Sequence, residues 1–273
     1  MVQLAADWLT RRGHAVTLPA VRVTPDPSKQ EEYADEGDLY IQQRIEVKHL
    51  SAQFPGRQDW PFKDFIVCAK HSFDNAFPTP HAYIAAMARN GYEIGEQARP
   101  YCTAAAELLR QRNRDAWPVQ MLDVGCSYGM GAAFVRFGCS FDEMVAFFSS
   151  RAPKERHAAC EATRMWLNVT PPVCDVRTVG LDSSEPAIRF AVDAGLLDGG
   201  LARDFEQPDT VPSDEERHWF RSCNLLISTG AVGYVSERTF EAILPHLGQD
   251  HPADFGPIAV VTILRMFDLA PIK

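Results

Sequence analysis

The sequence lacks the features that usually identify membrane proteins and secreted proteins. Its 273 residues contain no uncharged apolar stretch of the roughly 18 residues that a membrane-spanning helix needs. The N-terminus has no basic segment leading into an apolar run, so no secretory signal is visible. We therefore expect a cytoplasmic protein that has no membrane partner.

The cysteines and histidines also lack the spacing of a metal site or a disulfide framework. The seven cysteines are odd in number and include no CxxC pair. The eight histidines form no HxxxH pattern of the kind that zinc ligands show. We interpret the cysteines as reduced thiols, in keeping with a cytoplasmic location.

Positive charge is scarce as well. The net charge is −9, and no basic stripe occurs anywhere along the chain. Such a balance disfavours broad attraction to a nucleic-acid backbone. Hydrophobic residues make up 46% of the chain and charged residues 23%, which is ordinary for a globular protein with a buried core.

The C-terminal two-thirds of the chain alternates between two hydrophobic patterns. A helical pattern covers 97–113, and further helical patterns cover 131–137, 153–166, 184–194 and 235–246. Apolar strands are predicted at 119–124, 177–182, 223–228 and 258–265. Alternation of strands and helices predicts an α/β fold with a parallel sheet. We expect this sheet to have five strands, one more than the apolar pattern locates.

The most informative segment is the turn that follows the first of these strands. Asp123-x-Gly125-x-Ser127-x-Gly129 places an acidic residue at a strand end and small residues in a turn that opens a helix. Small residues suit a sharp turn that a ligand approaches closely. On spacing alone, this turn could cradle a dinucleotide phosphate, or it could serve packing only.

A second acidic residue ends the next strand of the pattern. Asp182 is followed by Ser183 and Ser184, which can cap the next helix. A carboxylate at this place can accept hydrogen bonds from both hydroxyls of a ribose. The alternative is a helix-capping acid with no ligand.

Together these elements resemble class I S-adenosylmethionine-dependent methyltransferases, with a Rossmann-like fold, over residues of about 95–273. In that family the first motif is an acidic-x-Gly-x-Gly-x-Gly turn, and Ser127 stands here in place of the middle glycine. The resemblance implies that Asp123, Gly125 and Gly129 surround the methionine part of S-adenosyl-L-methionine. It further implies that Asp182, beside Ser183, holds the ribose.

The resemblance also carries weaker expectations. Asp204 lies where the family has a residue that contacts adenine, although a solvated loop acid is an equal alternative. Ser228, Thr229 and Gly230 lie at the end of the strand predicted at 223–228, where they either line the methyl-transfer region or form an ordinary strand-end turn. The interval between Asp123 and Asp182 exceeds the family's usual one, which predicts an inserted helical segment near 139–176.

The expected activity is methyl transfer to an unidentified acceptor, with a small molecule favoured. The Asn/Asp-Pro-Pro-aromatic motif, which resembles what amino-methylating DNA enzymes use, is absent after Asn224–Ser228. The family normally has two further strands after the fifth, and the chain stops at Lys273, so we expect a domain that lacks its last strands. A non-catalytic remnant is the alternative.

The N-terminal part contains a different constellation of residues. Asp38 is predicted on one strand, and Glu46 and Lys48 share one face of the next, because alternate residues of a strand point the same way. Two carboxylates can bind a divalent cation such as Mg²⁺, and a lysine can orient or activate water. A chance pairing of these residue types on a surface strand is the alternative.

This arrangement resembles the core of PD-(D/E)xK nucleases, with Gly37 where that family has proline. The resemblance implies catalytic roles for Asp38, Glu46 and Lys48, a metal held by Asp38 and Glu46, and DNA as the partner. We therefore predict a fusion of a partial nuclease-like α+β domain at 1–83, a junction at 84–96 and a methyltransferase domain at 97–273. Metal-dependent cleavage of DNA is the alternative function.

Overall fold

The structure is a computed structural model. It describes residues 75, 77–89, 92–113, 119–231, 234–252 and 256–262. The predicted nuclease-like elements, with Asp38, Glu46 and Lys48, lie outside these residues. Their strand order and metal site stay predictions.

Five strands and eight helices make up the described part of the chain. The strands are β1 Val119–Val124, β2 Val176–Asp182, β3 Gly199–Ala202, β4 Leu225–Ser228 and β5 Ile258–Val261. The helices are α1 His81–Arg89, α2 Ile94–Asn113, α3 Met130–Val135, α4 Phe141–Ser150, α5 Arg156–Asn168, α6 Glu185–Asp193, α7 Asp214–Ser222 and α8 Glu237–Ile243.

The strands form one sheet in the order β3-β2-β1-β4-β5, and every neighbouring pair is parallel. Parallel neighbours require crossover connections, and helices supply them here. This confirms the expected α/β class, with a five-stranded sheet that is compatible with a Rossmann-like fold. The register places Asp123 of β1 opposite Gly180 of β2 and Ile227 of β4, in the middle of the sheet.

Both faces of the sheet are covered, which explains why most residues of its central strands are apolar. Leu122 and Val124 of β1 pack in a cluster with Phe220 of α7 and Phe240 of α8. Met121 of β1 lies in a separate cluster with residues of α2. The alternation along β1 therefore places successive side chains in two different cores.

The predicted junction at 84–96 contains ordered structure. Helix α1 begins directly after Pro80, and its Ile84 and Met87 are buried in the core cluster that also holds Met144 of α4. Proline ahead of a helix sets its start rather than marking a linker. The segment from residue 81 therefore packs with the sheet domain, while the division of the chain into two domains stays a prediction.

The remaining elements agree with the sequence expectations in one region and differ in another. The segment near 139–176 contains α4 and α5, as the expected helical insertion requires. Strand β3 (Gly-Gly-Leu-Ala) and helix α7 were not located, because β3 is too short and glycine-rich to show a strand pattern. None of the helices in the described part combines the length and hydropathy that crossing a bilayer demands.

Candidate functional site

The candidate site lies at the carboxyl ends of β1 and β2. Asp123 is the fifth residue of β1 and Asp182 is the last residue of the neighbouring β2. Because parallel strands end at the same edge, the two predicted acidic residues lie on adjacent strands at one edge of the sheet. Open α/β sheets bind their ligands at this edge.

The turn between β1 and α3 has the backbone that its small residues allow. Gly125 and Gly129 have φ angles of 75° and 80°. A Cβ atom at position 125 would also lie 2.3 Å from the Cβ of Ala231, so this position has no room for a side chain. Ser127 keeps a positive φ of 48°, which a small polar residue tolerates better than a bulky one.

The backbone N–H groups of this turn are already engaged inside the protein. Those of Gly125 and Cys126 donate to the carbonyl oxygen of Leu181, at 2.8 and 3.3 Å. The N–H of Ser127 donates to Oδ2 of Asp182 at 2.8 Å, and that of Gly129 donates to the carbonyl of Cys126. The turn is therefore tied to β2 and offers few donors to an anion.

Asp123 is buried and only partly satisfied. It is 1% exposed, and its Oδ2 accepts no hydrogen bond from the described residues. Burial and the charge of Asp182 raise the pKa of Asp123 to about 7, while a hydrogen bond from the backbone of Gly131 opposes the shift. A Cβ atom at position 131 would lie 2.3 Å from that oxygen, so glycine is what lets the helix approach the carboxylate.

Asp182 has the opposite environment. Its Oδ2 accepts the N–H of Ser127, and its Oδ1 accepts the N–H of Ser184 at 2.9 Å and the side-chain amide of Asn75 at 3.2 Å. Ser184 also caps helix α6 by accepting the N–H of Ala187, as the sequence predicted for the serine pair. The carboxylate is thus fixed in orientation by two backbone donors and one side chain.

Asn75 lies across this edge of the sheet. Its carbonyl oxygen accepts from Oγ of Ser184 at 2.6 Å and lies 3.0 Å from the hydroxyl of Tyr128. The same tyrosine hydroxyl lies 2.8 Å from the carbonyl of Phe77. Tyr128 is 1% exposed and its ring packs edge-on against that of Phe190. Its buried hydroxyl therefore holds Asn75 and Phe77 in place at this edge of the sheet.

Three further tyrosines surround the strand ends. Burial raises the pKa of Tyr83 well above its ordinary value, and a hydrogen bond to the Ser127 side chain opposes this shift. The pKa of Tyr92 is also raised, first by burial and then by the charge of Asp123, while a hydrogen bond to Thr229 lowers it. Burial raises the pKa of Tyr234 to about 12. All three phenols are therefore neutral donors at physiological pH.

The remaining predicted residues are placed less centrally. Ser183 is exposed, and its neighbour Ser184 makes the contacts with Asp182. Asp204 accepts the N–H of Glu206 and the side chain of Gln207 in a turn after β3. Ser228 is fully buried and donates to the carbonyl of Val124, so its hydroxyl joins β4 to β1 and does not line the edge.

Sequence reasoning missed several residues of this site. Asn75 and Tyr83 lie within the range predicted as nuclease-like and Tyr92 lies within the predicted junction, and no motif marks them. Tyr128 lies inside the turn motif, at a position that the motif leaves open. Among the described residues, no group of three or more His, Cys, Asp or Glu side chains could hold a metal ion.

No protein-family model, curated protein or solved structure matches the chain. The chemistry of the site must therefore be inferred from its own residues. Two carboxylates with different environments lie beside a glycine-containing turn whose N–H groups are internally paired, and neutral phenols surround them.

Proposed function

We propose that the protein transfers a methyl group from S-adenosyl-L-methionine to a small-molecule acceptor, at the carboxyl edge of the sheet. The single observation that carries this proposal is the buried Oδ2 of Asp123, which has no hydrogen-bond partner among the described residues and lies beside the oriented carboxylate of Asp182. A buried carboxylate oxygen without a donor favours a ligand that brings a positive charge or a donor to it.

The two carboxylates fit an adenosyl cofactor residue by residue. Asp123 would receive the positively charged methionine end, because a cation relieves the cost of ionising a buried carboxylate. Asp182 would accept hydrogen bonds from the ribose hydroxyls, since its position at a strand end suits a nucleoside. When bound, the cofactor supplies an electrophilic methyl group on a sulfonium.

A dinucleotide is the less suitable ligand for the same turn. Binding of a pyrophosphate at a glycine-rich turn depends on free backbone N–H groups. Here the N–H groups of Gly125, Cys126 and Ser127 are used by Leu181 and Asp182. Asp123 would also repel a phosphate once it is ionised. Both effects favour a cationic ligand over an anionic one.

The protein's own contribution to methyl transfer would be positioning and exclusion of water. Transfer of a methyl group is a direct displacement, which gains much of its rate from alignment in a desolvated site. Tyr83, Tyr92 and Tyr234 offer apolar rings and neutral hydroxyl groups at this edge. Such groups suit a small organic acceptor, and we assign none of them as a general base.

Calorimetric titration with S-adenosylhomocysteine tests the proposal, with NADH titrated in parallel. We expect saturable one-to-one binding of S-adenosylhomocysteine and none of NADH at the same concentrations. Binding of NADH instead would assign the turn to a dinucleotide. Binding of neither ligand would favour the non-catalytic alternative and contradict the proposed function.

A further inference from the structure

We propose that Asn75 is a latch on the nucleoside subsite, whose side-chain amide competes with a ribose for Asp182. The inference rests on the proposed function, because it concerns how an adenosyl ligand reaches the same carboxylate. The competition follows from a count of hydrogen-bonding positions on Asp182.

A carboxylate offers about four lone-pair positions, and a ribose diol needs two of them. The described residues take at least three positions of Asp182, through the N–H of Ser127, the N–H of Ser184 and the side-chain amide of Asn75. A diol can therefore bind in full only if at least one of these donors leaves.

The three donors differ in how easily they can leave. The N–H of Ser127 belongs to the turn that β2 holds in place, and the N–H of Ser184 belongs to the N-cap of α6. Moving either one requires rebuilding a turn or a helix end. The amide of Asn75 is at the end of a short side chain and can leave by rotation, so it is the donor that a ribose would displace.

The latch is held closed by its backbone. The carbonyl of Asn75 accepts from Oγ of Ser184 at 2.6 Å, and the buried hydroxyl of Tyr128 lies between the carbonyls of Asn75 and Phe77. The side-chain amide also lies 3.4 Å from Oγ of Ser127. These contacts position the amide on Asp182 and make the closed arrangement a competitor of the ligand.

Titration of S-adenosylhomocysteine into the wild-type chain, Asn75→Ala and Tyr128→Phe tests the latch. We expect Asn75→Ala to bind about tenfold more tightly, the factor that one charge-assisted hydrogen bond lost from a competitor would give. Tyr128→Phe keeps the ring and removes the anchoring hydroxyl, so we expect a smaller gain of about threefold. Asn168→Ala, an exposed substitution at the end of α5, is the matched control and should leave the affinity unchanged.

Weaker or unchanged binding by Asn75→Ala would overturn the latch, because Asn75 would then either contact the ligand or have no effect on its binding. The proposed function would still stand. Failure of every variant and of the wild-type chain to bind would overturn the proposed function and the latch with it.

Discussion

The ends of β1 and β2 carry the same residue type in two contrasting environments. Asp123 is buried, its pKa is raised to about 7, and its Oδ2 has no hydrogen-bond partner within the part of the chain that the structure describes. Asp182 is partly exposed and holds two backbone donors and the Asn75 amide. The two strands are neighbours in register, so the difference arises from what covers each strand end and not from the sheet.

This difference assigns separate tasks to the two carboxylates. A buried carboxylate oxygen without a hydrogen-bond donor destabilises the fold, and a ligand that brings positive charge to this oxygen removes the destabilisation. An oxygen fixed by backbone donors is oriented in advance, so it can select a ligand by hydrogen-bond geometry. The first environment suits the charged end of a ligand, and the second suits a sugar.

The largest expected effect is the pH dependence of stability that Asp123 imposes. The unfolded chain ionises this group near pH 4, whereas the folded chain keeps its proton until about pH 7. Between these values unfolding releases a proton, so the free energy of unfolding should fall as pH rises, by roughly 4 kcal/mol at most. Urea denaturation at several pH values measures this loss.

Asp123→Asn provides the comparison for that measurement. Asparagine cannot ionise, so the variant should lack the fall in stability between about pH 4 and pH 7 that the wild-type chain shows. Subtracting the two profiles removes the contributions of all other acids. Parallel profiles for the two proteins would mean that Asp123 is ionised in the folded state, and the contrast with Asp182 would disappear.

The next effect concerns the affinity that Asp182 supplies. Asp182→Ala removes the acceptor for ribose hydroxyls, and binding of S-adenosylhomocysteine should weaken by about 1–3 kcal/mol. Asp175→Ala is the matched control, because Asp175 is exposed and directly precedes the other end of β2. Calorimetry that finds equal affinities for the two variants would remove Asp182 from the site.

A smaller effect should appear in the pH dependence of ligand binding. S-Adenosylhomocysteine carries its positively charged α-amino group to Asp123, which must ionise to pair with it. Affinity should therefore rise between pH 6 and pH 8, by roughly tenfold at most for a group whose pKa is about 7. In Asp123→Asn the affinity should not change over this range, and a rise there would assign the linkage to another group.

The smallest effect is expected at Ser127, which lies in the turn between the two strand ends. Ser127→Gly relieves a side chain at positive φ and keeps the N–H that donates to Asp182. We expect stability to change by less than about 1 kcal/mol, because relief of backbone strain is offset by the hydroxyl contacts that are lost. Thermal unfolding measures this change, and a loss several times larger would mean that the hydroxyl holds the site together.

The sheet and its two acidic strand ends were predictable because their signals are local. A buried parallel strand is mostly apolar, and β1 and β2 each show apolar residues that lead to an acidic residue and then to small residues. Helices α4 and α7 also carry a local signal that could have located them. Ser140 with Glu143 and Ser213 with Glu216 form capping boxes at their N-termini.

The environment of each carboxylate was not predictable, because it depends on residues distant in sequence. Asn75 reaches Asp182 across more than a hundred residues. Tyr92 lies near Asp123 through the packing of the segment that precedes α2. Composition indicated a junction there, since proline and glycine are typical of linkers as well as of helix starts. No pattern in the sequence distinguishes the two.

The most direct test of the central claim is a crystal structure of the chain with S-adenosylhomocysteine. We expect the ribose hydroxyls within hydrogen-bond distance of the Asp182 carboxylate and the amino group of the ligand on the side of Asp123. A ligand bound away from the carboxyl edge of the sheet, with Asp123 and Asp182 untouched, would contradict it.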